Sequence, residues 1–167
     1  DLSAANTYGM FAARYPGALG NSLKVSLWAS SNAVAYNTLW EYSKEFNGVP
    51  GTSAYASNVM GANDEMHIIV VDEDGKFTGV ADTVLEKFPY LSKASDAKND
   101  DGSSNYYVNV INQKSRYIYM INSALDSSGV PNTATWGLTA SNTTFDQGLY
   151  VFTSSLKNGA EIGRAHV

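Results

Sequence analysis

The chain has 167 residues, a net charge of −5 and no cysteine, with 44% hydrophobic, 12% aromatic and only 16% charged residues. That length supports one domain with its own core, the apolar and aromatic content excludes a disordered chain, and lysines scattered singly through an acidic sequence exclude a basic nucleic-acid surface. The lack of cysteine removes disulfide scaffolds, thiolate catalysis and cysteine-ligated zinc, yet fits a reducing cytoplasm and an extracellular particle equally well.

Pro16-Gly17 and Gly20-Asn21 punctuate the first part of the chain. After them, Leu23, Val25 and Leu27 alternate with Lys24 and Ser26, which predicts a half-buried strand over 22–28. In residues 35–48, Tyr36, Leu39, Tyr42 and Phe46 stand at helix-compatible spacings, although Asn37 and Thr38 are indifferent helix formers. Small residues dominate 48–61 and predict a loop. From Met66 to Val71 every position but His67 is apolar, as expected of a central strand covered on both faces. Asp74-Gly75 predicts a two-residue hairpin loop. The return leg then starts at Lys76 and runs to Phe88, where β-branched residues and Pro89 favour strand over helix.

Residues 92–104 read as a polar surface loop. Ser103 or Ser104 can cap a helix over 104–115, whose Tyr106, Tyr107, Val110 and Ile111 form one face against a sheet. "RYIYMI" (116–121) returns to strand chemistry, residues 123–148 predict a Ser/Thr/Asn-rich excursion over the surface around Trp136, and "GLYVFTSSL" (148–156) closes with another strand. The fold expected is α+β: an antiparallel or mixed β-sheet, sandwich-like, with one packed helix and long polar loops. Its core spans 1–122, followed by the excursion 123–148 and a closing strand and tail over 149–160. Residues 161–167, "EIGRAHV", match the translation of a common sequencing adapter and are expected to be non-native, which leaves His67 as the native histidine.

Each candidate chemistry has a plainer reading beside it. "DEDG" invites a calcium loop, but counting from Asp72 places Lys76 at position 5, Phe77 at 6 and Thr83 at 12, where a ligand, a glycine and a glutamate are needed. A Ser-His-Asp site would rest on His67 beside Asp64 and Glu65; no G-x-S-x-G elbow accompanies it, so a histidine satisfied at a sheet face is expected. One native histidine and no H-E-x-x-H helix leave no zinc site. Sixteen acidic residues make chance carboxylate pairs unavoidable, and nothing selects a pair for glycoside hydrolysis. Phosphate-binding glycine loops are absent. Trp28, Trp40, Trp136 and the eleven tyrosines could line a sugar platform, although core or subunit packing is the simpler expectation for Trp28 and Trp40. The sequence therefore assigns no catalytic, cofactor-binding or metal residue and no cofactor. No run approaches the roughly 18 apolar residues of a membrane span, so no membrane insertion is expected.

Four blocks stand in order along the chain: "YPGALGNSLKVS" (15–26), "ANDEMHIIVVDEDGKFTG" (62–79), "VLEKFPYLSKASDAKNDDG" (84–102) and "NYYVNVINQKSRYI" (105–118). Together they resemble the contractile tail sheath protein of myovirus-type bacteriophages. The resemblance implies an internal piece of a longer structural subunit of the virion. Such a subunit polymerises helically around the tail tube in an extended, metastable state and contracts to drive genome delivery into the host. It also implies partners: other sheath subunits, the tail tube protein, and baseplate and tail terminator proteins, with assembly in the host cytoplasm and no nucleic-acid contact. An enzyme is not expected. The alternative from another class is a secreted carbohydrate-binding β-rich module, which requires coplanar exposed aromatics on a concave sheet face.

Overall fold

The computed structural model describes residues 10–120, 133–148 and 151–156. The expected adapter-derived end at 161–167 and residues 123–132 of the excursion lie outside them. The fold is α+β, built on two antiparallel sheets. The larger has four strands: β2 (Leu23–Trp28), β3 (Glu65–Asp72), β4 (Thr83–Ser92) and β6 (Val151–Ser155), in the order β4-β3-β2-β6. The smaller is a ribbon of β1 (Phe11–Ala13) and β5 (Ile118–Met120), and a one-turn helix, α1 (Gly17–Gly20), joins β1 to β2.

Alternation decides how the large sheet is packed. Leu23, Val25 and Leu27 of β2 join Met66, Ile68 and Val70 of β3 on one face, where Phe11, Ile118 and helix α4 (Tyr107–Lys114) cover them. The opposite face carries Trp28, Ile69 and Val71, covered by Ala35 and Tyr36 of helix α2 (Ala33–Leu39) and by Trp40 and Tyr42. As expected, β3 is central and covered on both sides, and Ile68 to Val71 are all fully buried. Each such side chain contributes about 1.5–3 kcal/mol of burial free energy.

The 35–48 segment, whose spacings are helix-compatible throughout, is broken into two short pieces. α2 begins earlier, at Ala33, because Asn32 accepts from the Ala35 amide at 3.0 Å. It stops at Leu39 because Trp40 turns extended and points its indole into the sheet, donating Nε1–H to Ser26 Oγ at 2.8 Å. A single 3₁₀ turn, Ser43–Glu45, follows. The 48–61 loop contains a one-turn helix, α3 (Ala54–Ser57), capped by Ser53 Oγ accepting from the Ala56 amide.

Two boundaries differ from expectation. The two-residue Asp74-Gly75 hairpin does not form, and the return strand begins at Thr83, so residues 73–82 make a long connection. Only Gly75 of the dipeptide takes positive φ, at +76°, and the backbone of Val80 and Ala81 crosses so near it that a Cβ would stand 2.8 Å from the Ala81 nitrogen. The second concerns α4, which starts at Tyr107 with no side-chain cap. Ser104 instead accepts from the Tyr106 amide and from Asn109 Nδ2 just ahead of it. Of the predicted face, Tyr107, Val110 and Ile111 are buried, while Tyr106 is the half-buried N-cap just outside the helix. Residues 133–148, expected to run over the surface, send Trp136, Ala140 and Phe145 inward; Trp136 meets Tyr107 edge-to-face at 5.8 Å. Their backbone also pairs at an isolated bridge, Ala62 with Thr144.

Candidate functional site

Across from His67 the β3–β4 ladder slips. Met66 opposes Leu91 and Ile68 opposes Phe88, so Pro89 and Tyr90 share the place facing one residue, which is a β-bulge. Tyr90 takes φ +53° there, a left-handed conformation that costs a bulky residue roughly 1–3 kcal/mol. Three hydrogen bonds hold it. Its amide donates to His67 Nδ1 at 3.0 Å, its carbonyl accepts from Asn105 Nδ2 at 3.0 Å, and its hydroxyl donates to Asn47 Oδ1 at 2.8 Å.

That first bond fixes the histidine. With Nδ1 accepting, the proton sits on Nε2, which donates to the Gly48 carbonyl at 2.7 Å. The ring stacks on Phe46 at 4.3 Å and takes the Tyr90 ring edge-on at 4.5 Å. Burial pushes its pKa below the ordinary 6.5, against the opposing pull of the Gly48 carbonyl. Both nitrogens are taken by backbone groups, so His67 is the satisfied sheet histidine read from the sequence, and it pairs with neither Asp64 nor Glu65.

Asp64 is buried and works as a junction. It accepts from the Ser53 amide at 2.8 Å, from Ser53 Oγ at 2.7 Å and from Ser92 Oγ at 2.6 Å, tying α3 to the ends of β3 and β4. Beside it stands a residue that sequence reasoning missed. Lys93 is fully buried; its Nζ donates to the carbonyls of Ala29 at 2.7 Å and Asn63 at 2.8 Å and lies 5.4 Å over the Trp136 ring. Burial lowers its pKa to about 7, opposed by the charges of Asp64, Asp146 and Glu65. The one signal available was its setting in "LSKAS", a lone lysine among small and apolar residues directly after a strand.

The "DEDG" carboxylates separate by role. Asp72 is buried, and its oxygens accept from Ser22 Oγ, from the Phe77 amide at 3.1 Å, and from the amide and hydroxyl of Thr78, each at 2.8 Å. Ser22 Oγ in turn accepts from the amides of Asp74 and Lys76. This donor set organises residues 73–82 from within, which is why the short hairpin is replaced. Asp74 itself is exposed. Among the described residues no group of three His, Asp or Glu side chains is placed to hold a metal ion.

Trp28, Trp40 and Trp136 are at most 2% exposed, so none belongs to a surface platform. Two hollows lie at the bulge, with Tyr90 as their shared wall. One, of about 230 Å³, is lined by Ser53, Tyr55, Glu65, Lys98, Asn99 and Asn105 among others. The second, of about 250 Å³, is lined by Phe46, Asn47 and Pro89, with the Lys87–Glu45 ion pair at 3.0 Å among its walls. Sequence reasoning found neither hollow, because their walls come from segments far apart in the chain. No protein-family model matches this chain, and a search of the curated proteins returns no significant match.

Proposed function

We propose that this chain is part of a structural subunit of a bacteriophage contractile tail sheath, a body that polymerises around the tail tube and shifts as a rigid unit when the sheath contracts. One observation carries the reading: the four blocks that resemble sheath proteins are the pieces that meet in one packed body. Block 15–26 supplies most of β2, 62–79 supplies β3 and its Asp72-centred loop, 84–102 supplies nearly all of β4 and the hairpin beyond it, and 105–118 supplies α4. A resemblance confined to surface loops would carry far less.

The mechanics suit the role. A subunit that slides and rotates without deforming needs a dense interior, and close-packed cores have low compressibility. Here the central strand is sealed on both faces, and the elements are cross-tied by Asp64, His67 and Lys93. The exposed parts are hydroxyl- and charge-rich, such as the 98–104 hairpin, closed by the Asn99–Ser103 backbone bond and by Asp101 accepting from Ser103. Exposed polar contacts contribute about 0–1 kcal/mol each, so lattice contacts of this kind can be exchanged singly without a large barrier. In this proposal the partners are other sheath subunits, the tail tube, and the baseplate and terminator proteins, the setting is the virion, and no residue is assigned a catalytic role. The carbohydrate-binding alternative requires exposed coplanar aromatics, and of the tryptophans and tyrosines that motivate it the three tryptophans are interior.

The test is assembly. The complete reading frame that contains this chain, expressed alone and viewed by negative-stain electron microscopy, is expected to form hollow helical tubes. If it remains monomeric at every salt concentration and also fails to coat tail tubes supplied to it, the proposal is wrong.

A further inference from the structure

The Tyr90 hollows have a chemistry of their own, independent of the sheath reading. Glu65 is half-buried at the start of β3, and one of its oxygens, Oε1, accepts from the Gly51 amide at 3.1 Å. Among the described residues no lysine or arginine comes within 4.0 Å of it. The aromatic residues Tyr55 and Tyr90 line the same hollow, with Asp100 beside them. A half-buried carboxylate beside tyrosine rings is an arrangement that favours an organic cation, through charge and through the ring faces together. Burial raises the Glu65 pKa and the Asp64 charge adds to it, opposed by the Gly51 amide and by the more distant charge of Lys93. Across the shared Tyr90 wall, Phe46 and Pro89 offer an apolar seat.

We propose that this pair of hollows is a docking site for a basic peptide segment, with a lysine or arginine side chain entering beside Tyr55 and Tyr90 to meet Glu65 and a nearby apolar side chain resting on Phe46 and Pro89. The bulge explains why the site is here. An extra residue in an edge strand re-aims one side chain, and the strained Tyr90 is held between the two hollows by His67, Asn105 and Asn47. Pro89 lacks an amide proton and so blunts ordinary strand addition along this stretch of the β4 edge, which leaves side-chain pockets to provide recognition. Lys98, also in the polar hollow's lining, competes with the incoming cation.

The experiment titrates the ¹⁵N-labelled full chain with acetyl-Arg-Ala-Leu-amide and acetyl-Leu-Ala-Arg-amide, using acetyl-Glu-Ala-Leu-amide as control. Saturable shifts are expected at the amides of Gly51, Glu65, Tyr90 and Asn105 with at least one arginine peptide and none with the control. Glu65→Gln keeps an acceptor for the Gly51 amide and is expected to weaken binding about tenfold. Lys98→Ala, on an exposed hairpin, is expected to tighten it about two- to threefold. Absence of saturable shifts up to millimolar peptide, equal shifts from the glutamate control, or unaltered binding in folded Glu65→Gln would each overturn the proposal. Failure here would leave the tube-assembly test untouched.

Discussion

At the scale of single residues, the interior is tied by polar side chains. Asp72→Asn would turn an acceptor of several hydrogen bonds into a group that presents its own N–H to the Phe77 and Thr78 donors. The expected cost is about 1.5–3 kcal/mol in urea unfolding. Burial raises the Asp72 pKa, but hydrogen bonds from Ser22, Thr78 and Phe77 bring it below the ordinary 3.8. The stability it contributes is therefore complete above about pH 3.8 and declines as pH falls further, and Asp72→Asn should flatten that decline. Lys93 has the opposite history, since its pKa drops from 10.5 to about 7. Between those values the unfolded chain binds a proton that the folded chain refuses, so stability falls as pH is lowered from 10.5 to 7 and is level below. Lys93→Met should abolish this slope while costing about 2–4 kcal/mol near neutrality, because the Ala29 and Asn63 carbonyls lose their donor. Stability curves of the two proteins measured across that pH range provide the check. The small and apolar residues around Lys93 were too weak a signal to announce it, since a single lysine after a strand normally points to water.

At the scale of elements, β3 is the piece on which the others depend. It pairs with β2 and β4 along its length and is sealed on both faces, so its amides should exchange with solvent only through global unfolding. The 98–104 hairpin is exposed at its tip and held by local bonds, and should exchange orders of magnitude faster. Hydrogen-exchange mass spectrometry separates these outcomes, and fast exchange in β3 would refute the rigid-body description. The apolar run of β3 and the alternation of β2 were plain in the sequence because periodicity is local. The bulge was not, because it depends on how two strands settle against His67 and Asn105, and no local pattern encodes that.

For the whole molecule, the segment 133–148 and strand β6 complete the core from the far end of the chain. Trp136 lies over Lys93 and against Tyr107, the Ala140 carbonyl stands where a Cβ on Gly61 would go, and β6 pairs with β2 from Lys24 to Trp28. Removing a buried tryptophan alone costs about 3–5 kcal/mol against a total stability of about 5–15. A chain ending at residue 132 should therefore lose its cooperative unfolding transition, read from the fluorescence of Trp28 and Trp40. An unchanged transition would mean that the last segments dock on a core already complete.

Composition and periodicity alone were enough to establish an α+β domain, a doubly covered central strand, a helix presenting Tyr107, Val110 and Ile111, and the failure of the calcium spacing, because each depends on residues close together in the chain. The tertiary structure alone decided that the Asp72 loop replaces a tight turn, that Trp136 is interior, that Lys93 is buried, and that Glu65, Tyr55 and Tyr90 line one hollow. Those outcomes depend on which distant backbone groups satisfy a buried polar atom, and hydrogen-bond partners separated by tens of residues leave no spacing to read.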